Sequence, residues 1–424
     1  MRYLLLFLSL SCCLAAYPQR AIKAYVMANV VRINSVSPEE TNDDDLAGIG
    51  DAIGDARIVM LGEQDHGDAP AFLAKTRMIR YLHEKKGFNV LAFESDVFGL
   101  NTGWDRLDKN PDSVAAFLRV NIFPIWTLCK ACDNLFYQYI PATLATPHPL
   151  VVSGFDNQMI LRYASLQLTH YLDSCFRAWE LPITKAPDYN SAVLPFLDSL
   201  GKKMTYQDPG NFPRIDGYLR IIREQAIQGG KADEYGLLLI NSMIAERIQY
   251  QYLRSDYHQS FNARDVQMAD NLRWLATKKY SGEKIIVWAA NGHVGRYADS
   301  SGKRDKKLVA MGYLFTRDTA LSRETYVLGF TSYSGEAGRM TTMQQYKVPA
   351  PEKNGFETWI DPSWEYAFVD FKKFNCTNTA REVFQLKGLG HQSRFKKEWN
   401  QVFDGIFYIR NMYSCIQQNQ GDLR

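Results

Sequence analysis

The sequence predicts an α/β protein with a largely parallel or mixed central sheet and a large helical insertion. Three observations carry this. Short apolar runs, Arg57 to Leu61, the run ending at Glu94 and Ile285 to Ala289, each stop at a polar turn. Between the first two, Phe72, Met78, Ile79, Tyr81 and Leu82 recur at three to four residues, the period of a helix with one buried face. Such a crossover makes the joined strands parallel. From Gln158 to about Ser260 the pattern is helical almost throughout.

In chain order, the first sixteen residues, MRYLLLFLSLSCCLAA, have an early Arg, a short apolar stretch and small residues, the layout of a secretory signal peptide. Residues 17–424 then form the mature α/β unit. Export to the periplasm or medium is expected, with lipid attachment at Cys12 or Cys13 as the lesser alternative. Residues 17 to about 55 read as an irregular lead with a helix around Glu40 to Ile53. There GIGDAIG precedes a strand instead of following it, so it does not read as a nucleotide-binding loop. TLCKACDNLFYQYI reads as a helix, and PHPLVVSGFDNQ as a strand ending at Asp156.

The helix-rich stretch of about 158–260 is either a subdomain inserted between strands or a lid over the site; the spacing does not distinguish them. FNARDVQMADNLRWLATKK reads as a helix capped near Asn262. TYVLGFTSYSG and Phe403 to Ile409 read as further strands.

With 424 residues and a hydrophobic fraction of 46%, the chain can bury a large core. The 49 basic against 46 acidic residues give a formal charge of +3, which leaves no nucleic-acid footprint. No stretch is long enough to be an ordinary transmembrane span. Oligomeric state is not readable.

Five cysteines remain after residue 16: Cys129, Cys132, Cys175, Cys376 and Cys415. An odd number leaves at least one thiol free or paired outside the chain. Cys129 and Cys132 form CKAC within a helical pattern, without the second pair a zinc site wants, and read as core or a local disulfide.

Ligands in open α/β sheets sit beyond the carboxyl ends of parallel strands. Glu63, His66, Glu94, Asp156, His293 and Ser334 all fall at such ends, which points to one shared pocket. His83, His148, His170, His258 and His391 lie in helical or loop contexts and read as surface or packing residues. Trp104, Trp126, Trp179, Trp274 and Trp288 suit an apolar pocket and an ordinary core alike. No GxSxG elbow is present, which argues against a serine nucleophile.

LGEQDHG, GFNVLAFE, GFD, RDVQMADN, VWAANGH, MGYLF, TSYSG and FDGIF occur in this order over nearly the whole mature chain. In these motifs the chain resembles the erythromycin esterase family. The resemblance implies a three-layer, erythromycin esterase-like α/β fold and a hydrolase, without metal or other cofactor, that opens a lactone with histidine-activated water. Carried over, His66 is the general base, Glu63 and Glu94 its partner carboxylates, and His293 the second histidine of a conserved turn. Lys75 stands where the family has arginine, and Ala290 where it has the turn's first histidine. Arg264 and Asp265 fall in a matched segment and take a supporting place.

The expected function is hydrolysis of a small-molecule ester or lactone. His66 would take a proton from water, a carboxylate would hold its tautomer, and His293 with Lys75 would stabilise the oxyanion. Lys75, Asp156, Asn291 and Ser334 are the expected substrate contacts. Two alternatives are a metal-dependent hydrolase on the same scaffold and a non-catalytic secreted ligand-binding homologue.

Overall fold

In the computed structural model the described residues are 20–202, 206, 208–300, 307–340, 342, 344–379 and 381–417. The expected signal segment lies outside them. Nine strands build the main sheet: β1 Val31–Ile33, β2 Ile58–Leu61, β3 Val90–Asp96, β4 Val151–Asp156, β5 Ile285–Trp288, β6 Thr325–Arg339, β7 Gln344–Val348, β8 Tyr366–Asp370 and β9 Gly405–Met412. Their order is β1-β8-β9-β6-β2-β5-β3-β4, with β7 paired to β6. From β9 to β4 every neighbouring pair is parallel, whereas β8 is antiparallel to both β9 and β1, so the sheet is mixed.

The longer helices are α1 Arg20–Asn29, α2 Ala69–Lys86, α3 Pro111–Asn121, α4 Arg162–Ala178, α5 Phe212–Gln228, α6 Tyr235–Tyr252 and α7 Tyr257–Trp274. Alternation along β2 explains the layering. Val59 and Leu61 join α2 and the Trp126 region in one core, while Ile58 and Met60 join α7 and Trp399 in a second. Side chains of period two feed both faces, as a sheet covered on both sides requires. A third core, running from Val97 and Phe98 to Met243, belongs largely to α4, α5 and α6.

Helix α2 shows how local sequence sets an element. Pro70 sits in its first turn, where no N–H is missed, and Gly87 ends it at φ 72°, a left-handed conformation favourable to glycine. Several readings change. The lead before β2 is ordered: α1 and β1 form, and β1 pairs with β8. The helix placed around Glu40 to Ile53 is a 3₁₀ turn at Asp44–Leu46 followed by Ala47–Ile53. The expected helix at TLCKACDNLFYQYI breaks into short turns. Helix α7 is capped by Asp256, whose side chain accepts the Gln259 N–H, and not near Asn262.

Cys129 is bonded to Cys415, 286 residues away, and not to Cys132. The local pairing is therefore wrong: Cys132 is a buried free thiol. No helix among the described residues is long and apolar enough to cross a membrane.

Candidate active site

The turn after β2 carries Glu63 and His66. Two glycines let it pack closely. A Cβ on Gly62 would meet Asn291 Oδ1 at 1.9 Å, and one on Gly67 would meet the Gly338 carbonyl at 1.6 Å. His66 Nδ1 lies 3.0 Å from Glu63 Oε1. The carboxylate accepts, so the neutral ring holds its proton on Nδ1 and presents Nε2 as the base. Trp126 packs edge-on against the imidazole, ring centres 5.6 Å apart.

The second oxygen of Glu63 takes the Lys75 ammonium, which also donates to the Ala289 carbonyl at 3.3 Å and lies 4.3 Å from the centre of the Trp288 ring. Lys75 and Glu63 are fully buried. Burial lowers the Lys75 pKa, and Glu63 pulls against that shift without reversing it. The partner at this site is thus a buried ion pair, not a substrate contact; a fully enclosed Lys75 has no surface to offer a substrate.

The second half is built on β3, β4, β5 and α7. Arg264, from α7, donates to Glu94 Oε1 at 2.7 Å and to both oxygens of Asp156, at 3.2 and 2.6 Å. The other Glu94 oxygen accepts the Ala290 N–H at 3.1 Å. Burial works to raise the Glu94 pKa, but His293, Arg264 and His66 outweigh it and hold the carboxyl well below its ordinary range. His66 and Glu94 therefore share one electrostatic field.

His293 stacks on Phe261, centres 5.1 Å apart, and its Nδ1 lies 2.8 Å from Asp265 Oδ1, whose other oxygen accepts the Met311 N–H. Its Nε2 sits 3.3 Å from Glu94 Oε1 and 3.1 Å from Arg264 Nη1. Burial would lower the imidazole pKa; Asp265 and Glu94 raise it above the ordinary value on balance. The imidazolium donates to Asp265 and Glu94, and the neutral ring accepts from Arg264 instead. A proton can leave Nε2 without the ring moving.

Exposure divides the site. The carboxylates are closed off, while the side chains of His66, Arg264 and His293 retain 17%, 16% and 9% exposure. Of the charged groups in the two clusters these three keep the most side-chain exposure. Among the described residues no group of three or more His, Cys, Asp or Glu side chains is placed to hold a metal ion.

The structure brings His66, Glu63 and Lys75 together, and Glu94, Asp156 and His293 through Arg264. Two expected substrate contacts are engaged in hydrogen bonds to backbone. Asn291 is buried, bonding the backbone of Phe330 and Gly388, and joins the turn after β5 to β6. Ser334 donates to the Arg410 carbonyl at 3.4 Å, on the β9 side of its strand. Asp156 gives its lone pairs to Arg264 and the Gln158 N–H.

The hub of the second half, Arg264, had only a supporting place in the reading of the sequence. Its segment RDVQMADN was the available signal, but nothing there shows that one guanidinium reaches two strands. His391 also differs from expectation: it is buried, with Nε2 2.9 Å from Asp68 and Nδ1 2.8 Å from Ser332 Oγ. His83 too has partners, the Tyr139 hydroxyl and the His148 carbonyl.

A layered α/β scaffold that gathers histidines and carboxylates beyond the ends of its parallel strands defines an erythromycin esterase-like class of hydrolase. The erythromycin esterase family model matches residues 83–412, and the chain belongs to that family. The matched span begins after the Glu63–Lys75 segment.

The chain is 27% identical to a putative hydrolase, YbfO, of Bacillus subtilis over 391 residues, 85% of this chain and 84% of that one. It is 24% identical to erythromycin esterase type II of Escherichia coli, over 87% and 93% of the two chains. A Bacillus cereus protein of known structure shares the fold with a TM-score of 0.67 at 16% identity, covering 94% and 98%. A mutant erythromycin esterase, EreC, in its open conformation gives a TM-score of 0.59 at 15% identity, covering 92% and 98%.

Proposed function

We propose that this protein is an exported hydrolase that cleaves a small-molecule ester or lactone with water activated by His66. The observation that carries the reading is the tethered imidazole: Nδ1 is fixed on the buried Glu63 carboxylate while the side chain keeps 17% exposure. That arrangement fixes the tautomer and stabilises the imidazolium once Nε2 takes a proton from water. Attack on the carbonyl then places charge on the carbonyl oxygen. Arg264 and protonated His293, whose side chains keep 16% and 9% exposure, are the donors suited to that charge, and His293 is suited to return a proton to the leaving alcohol.

Family membership and the similarity to an erythromycin esterase support ester or lactone chemistry. The disulfide supports export, because such bonds persist in oxidising compartments.

The test is hydrolysis of a panel of esters and lactones, macrolides included, by the mature protein with and without chelator, beside His66→Ala. The expected result is chelator-resistant turnover that falls by about 10²–10⁴-fold in the variant. Equal turnover in His66→Ala would overturn the mechanism. Export is checked by the N-terminal sequence of the protein recovered from its native compartment, expected to begin just after Ala15 or Ala16.

A further inference from the structure

The chain beyond β9 does not trail away from the site. Residues 413–417 run between two segments that flank His66. On one side the Ala69 N–H donates to the Tyr413 carbonyl at 3.1 Å, the Cys415 N–H donates to the Gly67 carbonyl at 2.8 Å, and Asp68 forms an antiparallel bridge with Ser414. On the other side the Lys130 N–H donates to the Ile416 carbonyl at 3.0 Å, and Cys129 bridges Gln417. Across the gap Cys129 and Cys415 are covalently joined.

Both flanks act on the same ring. Gly67 and Asp68 directly follow His66 and fix where its backbone lies. The Cys129 N–H donates to the Trp126 carbonyl at 3.1 Å, and Trp126 is the edge-on wall of the imidazole. Glu63 fixes one ring nitrogen but leaves rotation about that hydrogen bond open; backbone and wall close it.

We infer that the strap 413–417, locked by the Cys129–Cys415 disulfide, is a positioning element for His66, so that cutting the disulfide loosens the base without dismantling the fold. This rests on the reading of His66 as the base. Catalytic groups need orientation within about half an ångström, and a strap held to its two flanks by three backbone hydrogen bonds frays once its covalent tie is lost. The third cysteine nearby, Cys132, is buried, and burial lifts its thiol far above the ordinary range. It stays protonated and takes no part in exchange.

The experiment compares the mature protein before and after treatment with a water-soluble phosphine. One phosphine and one water convert the disulfide to two thiols and a phosphine oxide, so the protein gains two titratable thiols. Two readouts follow: the His66 Cε1–H resonance, assigned by its absence in His66→Ala, and ester turnover. Reduction is expected to shift or broaden the His66 signal, leave that of His293 in place, and lower kcat at least ten-fold with KM within two-fold. Cys129→Ala/Cys415→Ala is expected to behave as the reduced protein and ignore the phosphine; if it does not fold, the treated native chain carries the test.

An unmoved His66 signal and unchanged kcat in protein that has gained its two thiols would overturn the inference. The two readings fail separately. A shifted signal in a protein that hydrolyses no ester sinks the hydrolase reading and keeps the clamp. Turnover abolished by His66→Ala but indifferent to reduction sinks the clamp alone.

Discussion

At the scale of single residues, the candidate site buries its carboxylates in compensated ion pairs and leaves His66, Arg264 and His293 with some side-chain exposure. Glu63 with Lys75, and Glu94 with Asp156 around Arg264, are ion pairs whose isolated members would each cost several kcal/mol to bury. Such sets keep the geometry of both halves of the site fixed. Asp265 shows the consequence for acid chemistry. It raises the His293 pKa against the burial that would lower it. A histidine whose folded pKa is raised contributes stability that is fully present below its unfolded value of about 6.5 and is lost as pH rises through the folded value. In Asp265→Asn the leading cause of elevation is gone, so the His293 titration followed by NMR is expected to move to lower pH. Turnover should drop by about 10–100-fold, with the loss growing as pH rises. An unchanged titration would remove Asp265 from the proton economy of the site. The sequence showed His66, Glu63, Glu94 and His293 because each ends an apolar run. Arg264 and Asp265 project from mid-helix, and the helical period marks which face is buried but not which buried side chain meets a strand end.

At the scale of elements, β3 ends on a carboxyl that plays no part in the ion pairs. Asp96 is fully buried and accepts N–H groups from Phe98 at 3.0 Å, Gly99 at 2.7 Å and Leu161 at 3.2 Å, thereby tying β3 to the turns that enter the helical region. Burial dominates and pushes its pKa to about 7, the three N–H groups opposing it and Asp156, beside it in register, adding to it. An acid with a raised folded pKa contributes stability below its unfolded value and loses it as pH climbs through the folded value. Between about pH 4 and pH 8 the protein should therefore lose roughly 4 kcal/mol that this group supplied in its protonated form. Asp96→Asn, which cannot ionise, is expected to flatten that part of the stability profile in denaturant melts at pH 5 and pH 8. Parallel slopes for both proteins would mean that Asp96 stays charged. Element type was legible wherever periodicity was strong: β2 and β5 fall within their apolar runs, α2 spans its periodic stretch, and α7 overlaps its own while starting earlier, at Tyr257. It failed where tertiary pairing decides. Val31–Ile33 is too short to show alternation and becomes a strand because β8 offers it an edge. The CKAC segment is apolar enough for a helix, but is broken into short turns beside the strap.

At the scale of the whole molecule, topology makes the centre of the sheet from distant parts of the chain: β2 lies between β5 and β6, more than two hundred residues later. The parallel character was readable from strand–helix–strand order, since a crossover fixes direction. Strand order and the antiparallel edge were not, because no pattern in β8 or β9 says which neighbour each will find. The same non-locality gives the disulfide its thermodynamic weight. Cys129 and Cys415 are separated by 286 residues, so the bond removes a large amount of freedom from the unfolded chain, and the spacing of cysteines alone could not have paired them. In the chain-entropy picture a loop of this size is worth roughly 5 kcal/mol, and native disulfides commonly contribute about 2–5 kcal/mol. Cys129→Ala/Cys415→Ala is therefore expected to lose about 2–5 kcal/mol of unfolding free energy in urea. The dependence on denaturant separates the two places where such a loss can arise. If the effect lies in the unfolded ensemble, the uncrosslinked chain expands, exposes more surface, and the m value rises along with the fall in midpoint. If it lies in the native strap, the midpoint falls with m unchanged or lowered, because part of the surface near His66 is already open before global unfolding begins. A fall in midpoint without a rise in m, with native-like circular dichroism, is the expected outcome, as a strap that frays in the native state requires. An unaltered midpoint would mean that strap hydrogen bonds and β9 pairing hold the C-terminal segment in place without the covalent tie.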